Sequence, residues 1–400
     1  LIENTGQANN LINDKEGNVW IGTGKGLINY NPANGNIFKF ISLDTDSKSL
    51  SSDNISSLFL DKSNILWIST IKGGLNKLDL NAKRFKVLMV NKNKSDSPSG
   101  NFVSGIYADS KDNVWIVTAN KTLTRWIRNE DRLISYNQQS GFKANSDLAF
   151  VTGDSLGNIW IGPWLWTLHK ATVDGDKVTF KYYNSDNSCD SDKPCGWSYR
   201  WILPSRTGKI WIAYADAGLD MLDPENGKFT HYYKNKDDIN YYFRNYFWSL
   251  YEDKAGNIWA GHSDNGFYIL RQQTQKFESY QFPDQATGEV YCFHLSDNGL
   301  AYLGTNNGIW TFDLTTKKFI NHYTRKDGLV NEDIRGILED NKQNLWISTD
   351  RGLVKFDQKN QKFRTFTEED GIPGTEFSIG SFSKNKKGEM FFGTDKGLVY

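Results

Sequence analysis

The chain has 400 residues, enough to bury a large core, and no net charge, because 47 basic residues balance 47 acidic ones. That balance excludes the basic surface of a nucleic-acid-binding protein and the polybasic patch of a protein held on anionic lipid. Aromatic residues are frequent, with 14 Trp, 19 Tyr and 24 Phe, and such side chains favour the pleated, half-buried surface of a β-sheet.

A ten-residue pattern recurs along the chain, and its first clear copy, at residues 14–23, reads Asp-Lys-Glu-Gly-Asn-Val-Trp-Ile-Gly-Thr. Each copy is centred on one aromatic residue, and in chain order these are Trp20, Trp67, Trp115, Trp160, Trp211, Trp259, Tyr302, Trp346 and Phe391. Successive aromatics lie 43 to 51 residues apart. That period is typical of one four-stranded blade of a β-propeller.

Two positions before the aromatic predict a tight turn. The first is a short polar residue able to bond backbone N–H groups two residues on: Asp14, Asp61, Asp109, Asp154, Ser205, Asp253, Ser296, Asp340 and Asn385. The second tolerates positive φ in eight of nine copies: Gly17, Asn64, Asp112, Gly157, Gly208, Gly256, Gly299, Gln343 and Gly388, with Gln343 the exception. We expect the aromatic that follows to pack between neighbouring blades.

Each copy also contains the signals of four short strands. An apolar strand such as 55–60 or 333–338 precedes the turn, and the aromatic begins the second strand. A loop, which in five copies ends in Gly-Leu, leads to the third strand, and an aromatic-rich fourth strand such as 228–233 closes the copy. The sequence therefore predicts an all-β fold, a β-propeller of four-stranded antiparallel blades.

The full pattern Ile-x-x-Asp-x-x-Gly-Asn-x-Trp-Ile-Gly-Thr-x-x-Gly-Leu resembles the two-component regulator propeller repeat. The resemblance implies the periplasmic or extracellular sensor of a hybrid two-component system or sensor histidine kinase. In that family two seven-bladed propellers commonly precede a triple-tyrosine β-sandwich, a membrane span and signalling domains. Residues 327–331, 370–377 and 388–394 resemble the final blades, which implies that the chain ends as its last propeller closes.

Nine copies do not fit one seven-bladed ring. We expect residues 1–90 to be the last two blades of a first propeller, and residues 91–400 to be a seven-bladed second propeller. The alternative is one ring of eight or nine blades. The chain begins with Leu, lacks a signal peptide and has no apolar run of about 18 residues, so we expect an internal piece whose membrane contacts lie outside it.

The copies centred on Trp160, Trp211 and Trp259 depart most from the repeat. After Trp160 the usual Thr-x-x-Gly-Leu is replaced by Pro-Trp-Leu-Trp at 163–166, and a long inter-blade segment follows. Loops on the face around a propeller channel are the usual binding elements. The predicted ligand-binding residues are Trp164, Trp166, Trp197, Tyr199, Arg200, Tyr214, Asp216, Tyr241, Tyr242, Arg244, His262 and Asp264.

Aromatic rings beside Arg and Asp suit a sugar, because rings cover C–H faces and charged planar groups bond hydroxyls. The ligand is therefore expected to be an oligosaccharide or other small molecule. The same residue types also dominate protein interfaces, so a protein partner stays an alternative. A third interpretation is that the aromatics only fill gaps between blades, and we prefer it for Trp201 and Phe247.

No catalytic, metal or cofactor motif is present, so we expect neither an enzyme nor a cofactor. The repeat also resembles, more distantly, the propeller of streptogramin-inactivating lyases, for which His262 is the one plausible counterpart. A secretion-associated or structural propeller is a further alternative. The resemblance to sensors allows a homodimer. Cys189 and Cys195 are either a disulfide or two free thiols, and Cys292 lies in an apolar run that predicts burial.

Overall fold

The computed structural model describes residues 7–15, 17–32, 37–43, 49–80, 85–88, 102–186, 188–232, 246–283 and 286–400. The predicted all-β fold is confirmed: the described elements are 35 strands and three single-turn 3-10 helices, at Gln138–Ser140, Arg325–Asp327 and Glu368–Asp370. The chain forms two compact units, Leu1–Arg84 and Phe85–Tyr400. The predicted boundary at residues 90–91 lies outside the described residues and stays a prediction.

The first unit contains two antiparallel sheets, here called blades A and B. Blade A comprises β1 (Ala8–Asn13), β2 (Val19–Thr23), β3 (Gly26–Tyr30) and β4 (Ile37–Phe40). Blade B comprises β5 (Ile55–Leu60), β6 (Ile65–Thr70) and β7 (Gly74–Asp79). That these two blades belong to a preceding propeller stays a prediction.

The second unit contains seven four-stranded antiparallel sheets, here called blades 1 to 7. Blades 1 and 2 are β9 (Val103–Ala108), β10 (Asn113–Thr118), β11 (Thr122–Ile127), β12 (Arg132–Tyr136), and β13 (Leu148–Gly153), β14 (Ile159–Pro163), β15 (Thr167–Asp174), β16 (Lys177–Asn184). Blades 3 and 4 are β17 (Tyr199–Pro204), β18 (Ile210–Tyr214), β19 (Leu219–Asp223), β20 (Lys228–Tyr232), and β21 (Phe247–Glu252), β22 (Ile258–His262), β23 (Phe267–Arg271), β24 (Lys276–Tyr280).

Blades 5 and 6 are β25 (Val290–Leu295), β26 (Leu300–Thr305), β27 (Gly308–Asp313), β28 (Lys318–Tyr323), and β29 (Ile334–Glu339), β30 (Asn344–Thr349), β31 (Gly352–Asp357), β32 (Lys362–Phe366). Blade 7 is β33 (Phe377–Lys384), β34 (Met390–Thr394), β35 (Gly397–Val399) and β8 (Val87–Leu88). The first strands of consecutive blades contact one another, and β33 contacts β9, so these strands surround a central channel.

Both ends of the second unit meet in blade 7. Strand β8 pairs with β35, and the backbone N–H groups of Lys86 and Tyr400 each donate to the other's carbonyl at 2.9 Å. Blade 7 also bonds blade 1, because Ala108 N donates to Ser383 Oγ at 2.9 Å. The second unit is therefore a closed ring of seven blades, which rules out the single ring of eight or nine.

The repeated turn forms as predicted, and its opening carboxylate has an additional role. All nine residues at the second turn position have positive φ, from 61° at Gln343 to 86° at Gly388. Asp154 shows the carboxylate pattern: Oδ1 accepts from Asn158 N and Oδ2 from the indole N–H of Trp160, both at 2.9 Å. The hydrogen bond from the indole N–H to the turn carboxylate occurs in six copies, including this one. This bond explains why the spacing from Asp to Trp is constant.

The core lies between neighbouring blades. Trp160 is fully buried and belongs to one apolar cluster with Ile202 and Ile210 of the next blade. Eight of the nine repeat aromatics are buried in such clusters, which confirms their predicted packing role; Trp67 is the exception and is partly exposed. Phe247 is buried in the cluster between blades 3 and 4, and Cys292 is a buried free thiol, both as expected.

Aromatic side chains cross the central channel. Strand β33 carries extra residues between its pairings Phe377–Thr394 and Phe382–Phe392, and Gly380 there has φ +72°. A Cβ at Gly380 would lie 2.9 Å from Trp201 Cζ3 and 3.1 Å from Phe150 Cε1. Blade 7 thus contacts blades 2 and 3 across the ring, and Trp201 is a packing residue.

Candidate functional site

A short antiparallel ladder joins blades 2 and 3 on the loop face. Residues 164–166, which leave β14, pair with residues 197–199, which enter β17, through the bridge between Leu165 and Ser198. Trp166 N donates to the carbonyl of Trp197 at 2.8 Å, and Tyr199 N donates to that of Trp164 at 3.2 Å. This cross-blade ladder forms where the repeat's Gly-Leu loop is replaced.

Trp166 has a backbone conformation that the repeat otherwise gives mainly to glycine. The residue immediately before or at the start of the third strand is a Gly with positive φ in seven copies: Gly26, Gly74, Gly218, Gly266, Gly308, Gly352 and Gly397. At this position blade 1 has Lys121, and blade 2 has Trp166, whose φ is +77°. A left-handed conformation costs a bulky L-residue roughly 1–2 kcal/mol. Such strain is characteristic of functional positions.

Two indoles stack at one end of the ladder. The rings of Trp166 and Trp197 have centroids 5.3 Å apart and planes 24° apart, and Trp166 is 44% exposed. Asp216 holds the incoming strand, because its carboxylate accepts the backbone N–H groups of Trp197 and Ser198, each at 3.3 Å. Burial raises the pKa of Asp216, although the two N–H groups oppose that change. The pair is a rigid, partly exposed aromatic platform.

Arg200 lies in a cage of aromatic rings beside the other end of the ladder. Its guanidinium carbon is 5.3 Å from the ring centroids of Trp164 and Tyr246 and 5.0 Å from that of Trp248. Nε donates to the Tyr246 hydroxyl at 3.2 Å, while Nη1 donates to Ser198 Oγ at 3.0 Å. The rings of the cage are thus supplied by blades 2 and 4, and the indole pair lies at the opposite end of the same ladder.

Tyr199 and Tyr214 do not face a ligand. Both side chains are fully buried, and their rings pack 5.2 Å apart in the core between blades 2 and 3. Burial raises the pKa of both phenols. The reason is the register: the two residues form the first rung of the pair β17–β18 and point into the core. Tyr199 and Tyr214 are therefore packing residues and not ligand contacts.

A buried carboxylate that the sequence did not reveal fixes the disulfide segment to blade 3. Cys189 and Cys195 form a disulfide, which settles the open alternative. Asp220 is fully buried and accepts from Cys195 N at 2.8 Å, the Tyr214 hydroxyl at 2.9 Å and His231 Nδ1 at 2.7 Å. This Asp220 cluster positions the segment that leads into the cross-blade ladder.

The cluster makes stability pH-dependent. The hydrogen bond to Asp220 is the main cause that raises the pKa of His231 above its ordinary 6.5. The stabilisation is therefore fully present below about pH 6.5 and is lost as pH rises through the raised value. As the pH rises through the pKa of His231, we expect the unfolding free energy of the wild type to fall. The fall should be larger than in the His231→Gln variant, which has no imidazole to lose its proton. Urea unfolding at pH 6 and pH 9 measures the difference, and parallel profiles would contradict the assignment.

His262 and Asp264 do not contribute to the cage. His262 is 5% exposed, packs against the rings of Phe247 and Tyr268, and its Nδ1 accepts from Asp264 N at 3.2 Å. Asp264 is exposed. Tyr241, Tyr242 and Arg244 lie outside the described residues. Within the described ranges, no group of three His, Cys, Asp or Glu side chains is arranged to hold a metal ion.

A cavity of 420 Å³ opens between blades 4 and 5, next to the turn at Asp253. Its walls include Trp259 and Phe312, and its charges are paired: Arg271 bonds Glu278 at 2.5 Å and Lys254 bonds Asp297 at 2.6 Å. Because its cations already have counter-ions, this cavity is a weaker candidate than the cage.

Trp248 completes the cage and was not among the residues predicted from the sequence. Trp248 is the second residue of the first strand in blade 4, and Arg200 is the second residue of the first strand in blade 3. An alignment of the repeats would therefore have placed the two residues at equivalent positions. Asp220 gave no signal, because a charged residue in the middle of a repeat's third strand looks like any outward-facing position.

The fold is a β-propeller, and its loop face departs from the repeat in blades 2 to 4. Residues 49–72, 241–264 and 328–351 match the model of the two component regulator propeller family. Three stretches of the chain thus match that family's repeat. A comparison with curated protein sequences found no match. No helix in the described part of the chain is long and apolar enough to span a membrane.

Three solved structures share the fold. An extracellular domain of a hybrid two component system from B. thetaiotaomicron is 23% identical with TM-score 0.67; the match covers 100% of this chain and 56% of that one. A streptogramin B lyase is 14% identical with TM-score 0.60, over 79% and 96%. PorZ, a surface component of the type-IX secretion system of Porphyromonas gingivalis, is 15% identical with TM-score 0.58, over 96% and 56%. At these identities the likeness establishes the fold only.

Proposed function

We propose that this chain is the extracytoplasmic ligand-sensing propeller of a two-component signalling protein and that it binds a glycan-derived ligand on the loop face of blades 2 to 4. The family repeats support the sensor role. The disulfide supports an oxidising location, periplasmic or extracellular, because such bonds are rare in reducing compartments. The chain spans 56% of the matched sensor domain, so signalling and a homodimer are proposals about the whole protein.

The observation that carries the proposal is the strained, exposed Trp166. A bulky residue at φ +77° is unfavourable, and here it presents an indole that stacks on Trp197 at the surface. Packing within the blade does not require this, because seven copies form the same turn with glycine. A flat aromatic platform and a guanidinium on one ladder offer an oligosaccharide both a surface for a C–H face and a donor for its hydroxyls.

The two alternatives predict different observations. A lyase of the streptogramin type would need a metal-holding histidine, and His262 is buried against Phe247 and Tyr268. Chelator-sensitive turnover would revive that alternative. A protein-interaction propeller would use the same indole pair, so the class of molecule that binds decides between it and the sensor.

Titration with glycan fragments tests the proposal. We expect saturable binding, accompanied by a rise in melting temperature. Trp166→Ala and Trp197→Ala should each weaken binding at least about tenfold, which corresponds to about 1.4 kcal/mol, because the platform loses one of its rings.

Phe277→Ala is the matched control, since this ring is 42% exposed on the outer strand β24, far along the chain from the ladder. Its affinity should equal that of the wild type. Absence of saturable binding by any fragment, or unchanged affinity in both Trp variants, would overturn the proposal.

A further inference from the structure

Each first strand in blades 1 to 6 has one unpaired residue near the channel mouth. It lies between the first two rungs of the pairing with the second strand, and we call it the bulge residue. In chain order the bulge residues are Ser104, Ala149, Arg200, Trp248, Tyr291 and Arg335. Structurally equivalent positions thus carry two arginines, in blades 3 and 6.

The arginine in blade 6 is neutralised by its own chain. Arg335 Nη2 bonds Asp333 Oδ2 at 2.7 Å and Asp350 Oδ1 at 3.1 Å. Its guanidinium also lies 5.9 Å from the ring centroid of Tyr291. A partly buried cation is ordinarily stabilised by such counter-ions.

The arginine in blade 3 has the cage but no direct ion pair. Nε and Nη1 of Arg200 donate to the Tyr246 hydroxyl, Ser198 Oγ and the carbonyl of Tyr199, all neutral groups. Across the described ranges, no carboxylate lies within salt-bridge distance of Arg200, and Nη2 has no acceptor. The charge is half-buried. The neighbouring Asp216 attracts it only at longer range, because the Asp216 carboxylate bonds the backbone N–H groups of Trp197 and Ser198.

We propose that Arg200 binds a carboxylate of the ligand, so that the glycan recognised is an acidic one containing uronic-acid residues. This rests on the proposed function and specifies its ligand. A guanidinium matches a carboxylate in shape and charge, and aromatic walls that exclude water strengthen the attraction. A neutral sugar can accept hydrogen bonds from Nη2 but gives the half-buried charge no direct counter-ion.

The test compares uronic-acid oligosaccharides with the same oligosaccharides after reduction of their carboxyl groups to alcohols. The wild type should bind the acidic form at least tenfold more tightly than the reduced form. Arg200→Gln should weaken binding of the acidic form at least tenfold and remove the preference. Arg200→Lys, which keeps the charge but not the planar fork, should recover part of the affinity.

Arg335→Gln is the matched control, because its charge is already compensated, and its affinity should stay within threefold of the wild type. Circular dichroism confirms that each variant is folded. Equal affinity for acidic and reduced forms, or an unchanged affinity in folded Arg200→Gln, overturns this inference alone if binding still depends on Trp166. Absence of binding by both forms overturns it together with the proposed function.

Discussion

Asp220→Ala is expected to lower the unfolding free energy by about 3–5 kcal/mol, the range for removing one partner of a buried charged group. The fully buried carboxylate accepts from three donors, which belong to the disulfide segment, β18 and β20. Alanine leaves all three donors unpaired, and each unpaired buried donor carries a cost of its own. Asp220→Asn keeps the shape but not the charge, so its loss should be smaller.

Urea unfolding monitored by tryptophan fluorescence measures the effect. Glu225→Ala is the control, because that side chain is exposed in the turn after β19, and surface changes of this kind usually stay within about 0.5 kcal/mol. A loss below about 1 kcal/mol in Asp220→Ala would show that the three hydrogen bonds are not the source of stability described above.

Gly380→Val is expected to lower the unfolding free energy by about 2–5 kcal/mol. Left-handed backbone at φ +72° contributes roughly 1–2 kcal/mol, and overpacking against Phe150 and Trp201 contributes roughly 1–3 kcal/mol. The contact joins blade 7 to blades 2 and 3 across the channel, so the ring itself must expand to admit the side chain.

Gly157→Val separates the two costs. Gly157 has φ +81°, but nothing lies within 4 Å of the Cβ position, so only the backbone cost applies. Thermal unfolding of both variants should show the larger decrease for Gly380→Val. Equal decreases would mean that the channel is not packed as described.

The repeat predicted the fold because each of its positions has a local physical cause. Short polar side chains open the turn, and the following position requires positive φ. Even Gln343, the residue least suited to it, adopts φ +61°. The number of copies did not reveal where the ring closes, because closure depends on the pairing of β8 with β35, two strands at opposite ends of the unit.

The candidate site was only partly predictable. Departures from the repeat located Trp166, Trp197 and Arg200, and the structure places them along one cross-blade ladder. The single-residue bulge at Arg200 determines which neighbouring side chains point into the core, and Tyr199 is one of them. A bulge cannot be recognised from residue composition, so the orientation of Tyr199 was not predictable. Contacts between blades, such as Arg200 with Trp248, depend on ring geometry rather than on local sequence.

The most direct test of the central claim, that the loop face of blades 2 to 4 binds a glycan, is a crystal structure of the protein with a bound uronic-acid oligosaccharide. We predict a sugar ring against the indoles of Trp166 and Trp197 and its carboxylate on Arg200. A ligand bound elsewhere, for example in the cavity between blades 4 and 5, would contradict the account.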